Sequence, residues 1–315
     1  MLGAFGMWDI FLKTLPFFAV IGLGYVSGRT RFFTEDATAY LTKFVFYFAL
    51  SAMIFGFASS LEISQILDWT FIKAYLTATA AVYAIATAMS LLRGTSVAEA
   101  AVEAQCSVIG NVGFLGIPML ALLMGPAAVA PIIIMLSVDL IVFSSLIVIL
   151  ITGSKGGGLS LGIFRTVILG LLKNPMIVSV VLGLAWSSAE LTMPAPAQEF
   201  LTLLGAAATP GALFAIGASL ASKSAERLSV AFTISAFKLF VHPAAVALTA
   251  MVIWPVEPFA AKVMVAAAAL PVAGNIFILA QHYRVAPQRV SAAILVSTTA
   301  SVVTVAATIA WLETL

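Results

Sequence analysis

Long apolar runs follow one another along nearly the whole chain, and short polar segments separate them. A helix of about 20 apolar residues covers the hydrocarbon core of a bilayer. We therefore interpret each run as one membrane-spanning helix. The ten predicted spans are 8–28, 37–59, 69–92, 100–123, 127–151, 175–191, 198–221, 228–254, 258–282 and 289–311.

One connection, 152–174, is longer than the others. It begins with GSKGGG, and apolar residues then recur at helical spacing around Arg165 and Lys173. This pattern favours a short helix in the plane of the membrane surface, with an eleventh, incomplete hydrophobic segment as the alternative. The chain therefore divides into a first five-helix unit at 1–151, a cytoplasmic linker at 152–174 and a second five-helix unit at 175–315.

The composition excludes a soluble protein. Of the 315 residues, 62% are hydrophobic and 9% are charged, whereas a soluble domain has about 25% charged residues. The expected fold class is an all-α polytopic membrane protein. The single cysteine, Cys106, excludes an internal disulfide and a thiolate metal cluster. No basic region precedes the first apolar run, so we expect a retained helix rather than a cleaved signal peptide.

Positive charge is distributed unevenly between the two sides of the predicted membrane. The connections after odd-numbered helices hold ten lysine and arginine residues, and the other side holds only Lys13. Because basic loops stay in the cytoplasm, we expect an inner-membrane protein with both termini outside. The ten residues are Arg29, Arg31, Arg93, Lys155, Arg165, Lys173, Lys223, Arg227, Arg284 and Arg289.

The two halves of the chain repeat a set of spaced residues at an offset that drifts from 159 to 164. Because each half has an odd number of helices, the second copy enters the membrane upside down. Inverted repeats of this kind are typical of secondary transporters. The matching residues are Pro16 with Pro175, Gly24 with Gly183, Gly56 with Gly217, and Gly110–Asn111 with Gly274–Asn275.

The fourth and ninth predicted helices are both interrupted, by SVIGNVGFLGIPML and by LPVAGNIF. A break brings the positive end of a half-helix into the membrane, where it attracts an anion such as a carboxylate. Asn111 and Asn275 can either cap these ends or donate amide hydrogens to a substrate. Alternatively, the two asparagines only form hydrogen bonds between neighbouring helices. The other residues assigned to this substrate site are Gly110, Gly113, Pro118, Pro271 and Gly274.

Three further polar residues lie deep in predicted helices. Asp139 in the fifth helix is a candidate for proton coupling or for a structural charge pair. Lys238 and His242 are one turn apart in the eighth helix and can share a face. They could balance a substrate carboxylate, Asp139 or freed carbonyl groups, but a structural role is equally open, and His242 precedes a proline that can kink the helix.

Two hydroxyl groups near the helix breaks are weaker candidates for contact with a substrate. Thr209 in the seventh helix and Ser51 in the second could reach a substrate or could bond back to their own helices. Glu99 and Glu103 begin the fourth helix on the cytoplasmic side. We expect them to be solvated or to stabilise the helix N-terminus.

Four segments together resemble the auxin efflux carrier family: NVGFLGIPML, ATPGALFAIGASL, KLFVHPAAVAL and LPVAGNIF. The resemblance runs over nearly the whole chain and is nearer to the compact bacterial organic-acid carriers than to the plant carriers, whose central loop is often long. It implies ten helices in two inverted repeats, with broken helices 4 and 9 crossing at the midplane. It also implies crossover asparagines at Asn111 and Asn275, with crossover prolines near Pro118 and Pro271.

The same resemblance implies a scaffold of helices 1, 2, 6 and 7 and a moving domain formed by the rest. The related sodium–bile-acid symporters share this fold and use sodium. The residues give no reason to assert a sodium site. A homodimer would fit the family, and the substrate does not carry over from it.

The function predicted from the sequence is secondary transport of a small organic anion, such as malonate or an auxin-like indole acid, across the plasma membrane. The alternatives are a sodium-coupled anion symporter and an intramembrane enzyme. Against an enzyme, the histidines do not form HExxH, Asp139 has no second aspartate within the membrane, and no aspartate-rich diphosphate motif is present. We expect no cofactor, bound metal or nucleic acid partner.

Overall fold

The computed structural model describes residues 7–60, 68–154, 161–222 and 228–315. Within these ranges the chain is helical and contains no strand longer than an isolated bridge between Gly110 and Val272. This confirms the all-α prediction for the described residues. Three of the basic residues used to orient the chain, Lys155, Lys223 and Arg227, lie outside them.

The helices are numbered in chain order. They are α1 (Met7–Arg29), α2 (Glu35–Ala58), α3 (Trp69–Leu92), α4 (Val97–Val108), α5 (Val112–Met124), α6 (Pro126–Thr152), α7 (Leu161–Lys173), α8 (Pro175–Ser188), α9 (Ala195–Ala221), α10 (Leu228–Ile253), α11 (Pro258–Ala268), α12 (Asn275–Tyr283) and α13 (Pro287–Glu313).

In the described part of the chain, 7 helices are long and apolar enough to cross a membrane, or 8 if α7 and α8 are counted as one bent span. The protein is therefore a multi-pass membrane protein. The predicted fourth span is divided into α4 and α5, and the predicted ninth into α11 and α12, so both interruptions lie where the glycine, proline and asparagine residues predicted them. The linker contains α7, which meets α8 at an angle of 69°.

Polar side chains fix several helix starts. Asp68 accepts hydrogen bonds from the backbone of Thr70 and Phe71 at the start of α3. Ser96 and Glu99 form a reciprocal capping box at the start of α4, which satisfies donors that have no partner within the helix. Asn174 caps α8 in the same way. These short polar signals place the helix boundaries that surround the breaks.

One group of helices is held together by very close backbone contact. Helix α1 packs along α9, and α2 packs against α8 and α9. A Cβ atom at Gly217 would lie 1.9 Å from the carbonyl oxygen of Ile21, and one at Gly24 would lie 2.2 Å from that of Phe214. Only glycine permits this approach, so these residues fix how α1 and α9 cross.

The remaining long helices form a second group, in which α3 packs on α4 and α10, α4 on α6, and α10 on α13. An ion cluster joins α3, α4 and α13. Glu103 accepts hydrogen bonds from Ser90, Arg93 and Arg289, and Arg289 also binds Glu99 at 2.9 Å. The expectation that Glu103 is solvated was wrong: it is 2% exposed, and its three donors compensate the loss of water.

Two of the long helices contain a π-helical turn at a charged residue. The turn in α6 is Asp139–Phe143 and the turn in α10 is Phe237–Val241, which includes Lys238. Such turns insert one extra residue into a helix and are frequent at functional sites. Each π-helical turn changes which side chains share a face of its helix. Asp139 and Lys238 therefore lie on faces that regular α-helical spacing does not predict.

Candidate functional site

The two helix breaks lie directly against each other. The backbone N–H of Asn111 donates to the carbonyl of Pro271 at 2.8 Å, and that of Ala273 donates to the carbonyl of Ile109 at 3.1 Å. Gly110 and Val272 are thereby paired as in an antiparallel sheet. Each break satisfies backbone groups that the other leaves without a helical partner, which makes the interruptions tolerable inside a membrane protein.

Ser297 of α13 completes this junction. Its hydroxyl oxygen accepts a hydrogen bond from the backbone N–H of Val272 at 3.1 Å, and its own proton goes to the carbonyl of Ile294. Ser297 is fully buried. The sequence reasoning missed this residue, because a serine in an apolar helix carries no signal that separates it from the other serines of α13.

The side chains of Asn111 and Asn275 are not used to cap the half-helices. Asn111 precedes α5 without a capping bond, and Gly274 occupies the corresponding position before α12. Asn111 is 6% exposed, and Oδ1 of Asn275 is buried without a hydrogen-bond partner. The capping role predicted for these asparagines is therefore not seen in the described geometry.

Both asparagines face one cavity of about 1670 Å³. Gly274 lies beside the two asparagines in the cavity wall. The rings of Phe46 and Phe114, whose centroids are 6.2 Å apart, form an aromatic part of the same wall. A cavity of this size accepts a small organic acid together with water. Charged side chains occur among the lining residues of α1, α2, α7 and the turn between α1 and α2: Arg29, Arg31, Glu35, Lys43 and Lys173.

Lys238 lies immediately behind the junction. Its side chain is fully buried, and a Cβ atom at Gly110 would lie 3.2 Å from its Nζ. The ammonium group donates to the carbonyl of Ala268 at the end of α11. A cation is favourable at this negative end of a helix. Among the roles predicted for Lys238, the structure favours satisfaction of a freed carbonyl.

His242 and Asp139 extend this polar cluster. His242 lies 3.4 Å from Nζ of Lys238 through Nδ1 and 3.1 Å from the hydroxyl of Thr79 through Nε2. Because an ammonium group only donates, Nδ1 accepts and Nε2 carries the proton. Tyr75 donates to Oδ1 of Asp139 at 2.7 Å. Tyr75 and Thr79 on α3 were not predicted, since neither differs in pattern from other residues of an apolar helix.

The remaining predicted residues lie outside the cavity wall. The hydroxyl of Ser51 donates to the carbonyl of Phe46 in its own helix at 3.1 Å, so the structure places Ser51 in its helix-bonded alternative. Thr209 lies within α9 and Pro118 within α5. Gly113 instead packs against the terminal methyl group of Met176 from α8, which an added Cβ atom would have to displace.

A multi-pass protein with two interrupted helices that meet beside a large cavity has the features of a membrane transporter. The family model described as "Membrane transport protein" matches residues 9–309, which is nearly the whole chain. The chain belongs to this family, the auxin efflux carrier family, as the four segments predicted. This assignment points to a transporter rather than an enzyme.

The chain is also similar to an individual protein of known name. Over 307 residues the chain is 30% identical to a protein of Rhizobium meliloti (strain 1021) named "Putative malonate transporter". The similarity covers 95% of this chain and 94% of the relative. The two proteins are thus similar along their whole length, including both helix breaks.

Proposed function

We propose that the protein is a secondary transporter that binds a small organic anion between Asn111 and Asn275 and carries it across the membrane by alternating access. The observation that supports this most directly is the pair of asparagine amides at the two joined helix breaks. Both face the same cavity, and neither caps its half-helix. Amide donors of this kind suit a carboxylate.

The charges around the cavity favour an anion. The first turns of α5 and α12 present the positive ends of two half-helices at the junction. Arg29, Arg31, Lys43 and Lys173 line the same cavity, against the single carboxylate of Glu35. Malonate is the first candidate because of the relative's name, and an auxin-like indole acid is the second because of the family.

The proposed architecture is ten spans in two inverted five-helix repeats, at 1–151 and 175–315, joined by the linker 152–174. In this arrangement α4–α5 and α11–α12 are the broken fourth and ninth helices, which cross at the midplane. Helices α1, α2, α8 and α9 form the fixed scaffold, supported by their close mutual contacts. The other helices move together as one transport domain, which the Glu103 ion cluster strengthens.

The cavity is proposed to open to the cytoplasm. Its lining reaches the ends of α1 and α7 and the start of α13, and the connections at these ends carry the basic residues that stay inside. The described connections at the other ends of the helices contribute none of its lining residues. The protein would therefore be an inner-membrane carrier with external termini, seen in its inward-open state.

Uptake into proteoliposomes tests the proposed function. Labelled malonate and indole-3-acetate are offered separately, with and without imposed proton, sodium and voltage gradients. We expect saturable uptake of at least one acid. Asn111→Ala and Asn275→Ala should each lower kcat/KM by about tenfold or more, because a lost hydrogen bond to a charged group costs about 1.5–3 kcal/mol.

The matched control is Gln288→Ala, which removes an exposed amide from the cavity lining away from the helix breaks. This variant should transport like the unmodified protein. Uptake that is equal in all three variants would contradict the assignment of the site. Uptake that requires sodium would favour the symporter alternative over the proposed carrier.

A further inference from the structure

Asp139 has an unusual environment for a carboxylate. Its side chain is 2% exposed, Oδ1 accepts the hydrogen bond from Tyr75, and Oδ2 is buried without any hydrogen-bond partner. An ionised oxygen with no donor is costly at a site this deeply buried. A proton on this oxygen removes the charge and is the simplest ligand that fits.

The residues next to Asp139 in its helix line the cavity. The next residue in α6, Leu140, lines the cavity, and so does Ser144, whose hydroxyl donates to the carbonyl of Asp139 at 3.1 Å. Asp139 thus lies immediately behind the cavity wall.

The ionisable groups near Asp139 come from three helices. Helix α3 contributes Tyr75 and, further along, Tyr83, whose ring lies 6.0 Å from that of Phe143. Helix α10 contributes Lys238, which interacts electrostatically with Asp139, and His242 beyond it. Helix α4 contributes Cys106, which is buried near Tyr83. Lys238 is the one cation of this set that also contacts the junction, at Gly110.

We propose that Asp139 is the proton site of the transporter, and that the carrier moves one proton together with each monoanionic carboxylate. This inference rests on the proposed function. In the loaded carrier, the positive Lys238, the negative substrate and the neutral Asp139 sum to zero. In the empty carrier, the positive Lys238 and the ionised Asp139 again sum to zero, and the described geometry, in which Oδ2 has no donor, is that of the protonated form. Every other combination moves net charge through a medium of low dielectric constant, which is costly.

The balance of the cycle is simple. A proton from water binds Oδ2 of Asp139 when the anion binds between Asn111 and Asn275, and both leave on the opposite side. Lys238 keeps its charge throughout, held by Ala268 and His242. Transport of a monoanion is then electroneutral, whereas transport of a dianion leaves one negative charge uncompensated and responds to the membrane potential.

Proton flux in the unmodified protein is the first test. Proteoliposomes that contain a pH-sensitive dye are given indole-3-acetate or malonate with no imposed gradient, and their internal pH and uptake are followed together. We expect acidification that accompanies uptake. When a pH difference is then imposed, a monoanion should accumulate about tenfold per unit of pH difference. Uptake with no proton entering, after correction by protein-free liposomes, would overturn the proposal and leave the proposed function standing. Absence of any uptake would contradict both.

The residue is tested by Asp139→Asn, with Asp36→Asn as the control at an exposed carboxylate outside the cavity. Accumulation driven by a pH gradient should be lost in Asp139→Asn and kept in the control.

A second readout needs only folded, purified protein. Substrate binding in weak buffer should take up a proton, and the infrared band of a protonated carboxyl group should be absent in Asp139→Asn. Should Asp139→Asn fail to fold, Asp139→Glu should retain proton uptake with a shifted band. An unchanged band or unchanged gradient-driven accumulation in folded Asp139→Asn, or an unshifted band in folded Asp139→Glu, would overturn the assignment.

Discussion

Gly110 and Gly274 each directly precede an asparagine at one of the two helix breaks, but their surroundings differ. A Cβ atom at Gly110 would meet the ammonium group of Lys238 at 3.2 Å, whereas one at Gly274 would meet no atom within 4 Å. The repeated Gly–Asn pair therefore serves two purposes. The first glycine makes room for a buried cation, and the second only forms part of the cavity wall.

This difference leads to a prediction at the residue scale. Gly110→Ala should displace Lys238 from the Ala268 carbonyl and reduce uptake by about tenfold, in line with the value of a hydrogen bond to a charged group. Gly274→Ala, the matched substitution in the other repeat, should change uptake by less than about threefold. The comparison is made in the same proteoliposome assay. Equal effects of the two substitutions would contradict the account of Lys238.

Single residues were predictable from the sequence only where a pattern repeats. Asn111 and Asn275 were found because each follows a glycine in a broken helix, and because the two helices correspond. Ser297, Tyr75 and Thr79 were missed because their roles depend on contacts between distant helices, and π-helical turns shift the faces on which their partners lie. Glu103 was misjudged for a related reason, since its partner Arg289 is far along the chain.

At the scale of helices, the breaks and the close crossings both follow from small residues. Glycine, proline and asparagine cannot continue an apolar helix at low cost, so the interruptions between α4 and α5 and between α11 and α12 were visible in the sequence. Gly24 was also among the residues that recur in both halves of the sequence. Its contact with the carbonyl of Phe214 could not be predicted, because spacing alone does not show which helix lies opposite.

The close crossing of α1 and α9 can be tested with two glycines of the same helix. Gly24→Ala would place a methyl group against a backbone carbonyl that cannot rotate away, which should cost about 1–3 kcal/mol in stability. Gly22→Ala, two residues earlier, meets no atom within 4 Å and should be neutral or slightly stabilising. Thermal unfolding of the detergent-purified variants measures the difference. Identical midpoints would contradict the described packing.

For the whole molecule, the sequence predicted a multi-pass helical protein because apolar length is a property of the chain itself, and it predicted the family because four segments resemble those of its members. The cavity could not be predicted, because its wall combines residues from α1, α2, α5, α6, α12 and α13 that are far apart in sequence. Its volume and its charged lining appear only when the two groups of helices are placed side by side. The proposed motion of one group against the other belongs to this scale.

The most direct test of the central claim is labelling of a cysteine in the cavity. Ser145 lines the cavity, and Cys106 is buried, so the unmodified chain gives the background for Ser145→Cys. A membrane-impermeant thiol reagent should label Ser145→Cys faster from the cytoplasmic side. The acid identified by the uptake assay should slow this labelling, and Asn111→Ala with Asn275→Ala should abolish the protection. Protection that persists without both asparagines, or labelling that is faster from outside, would contradict the account.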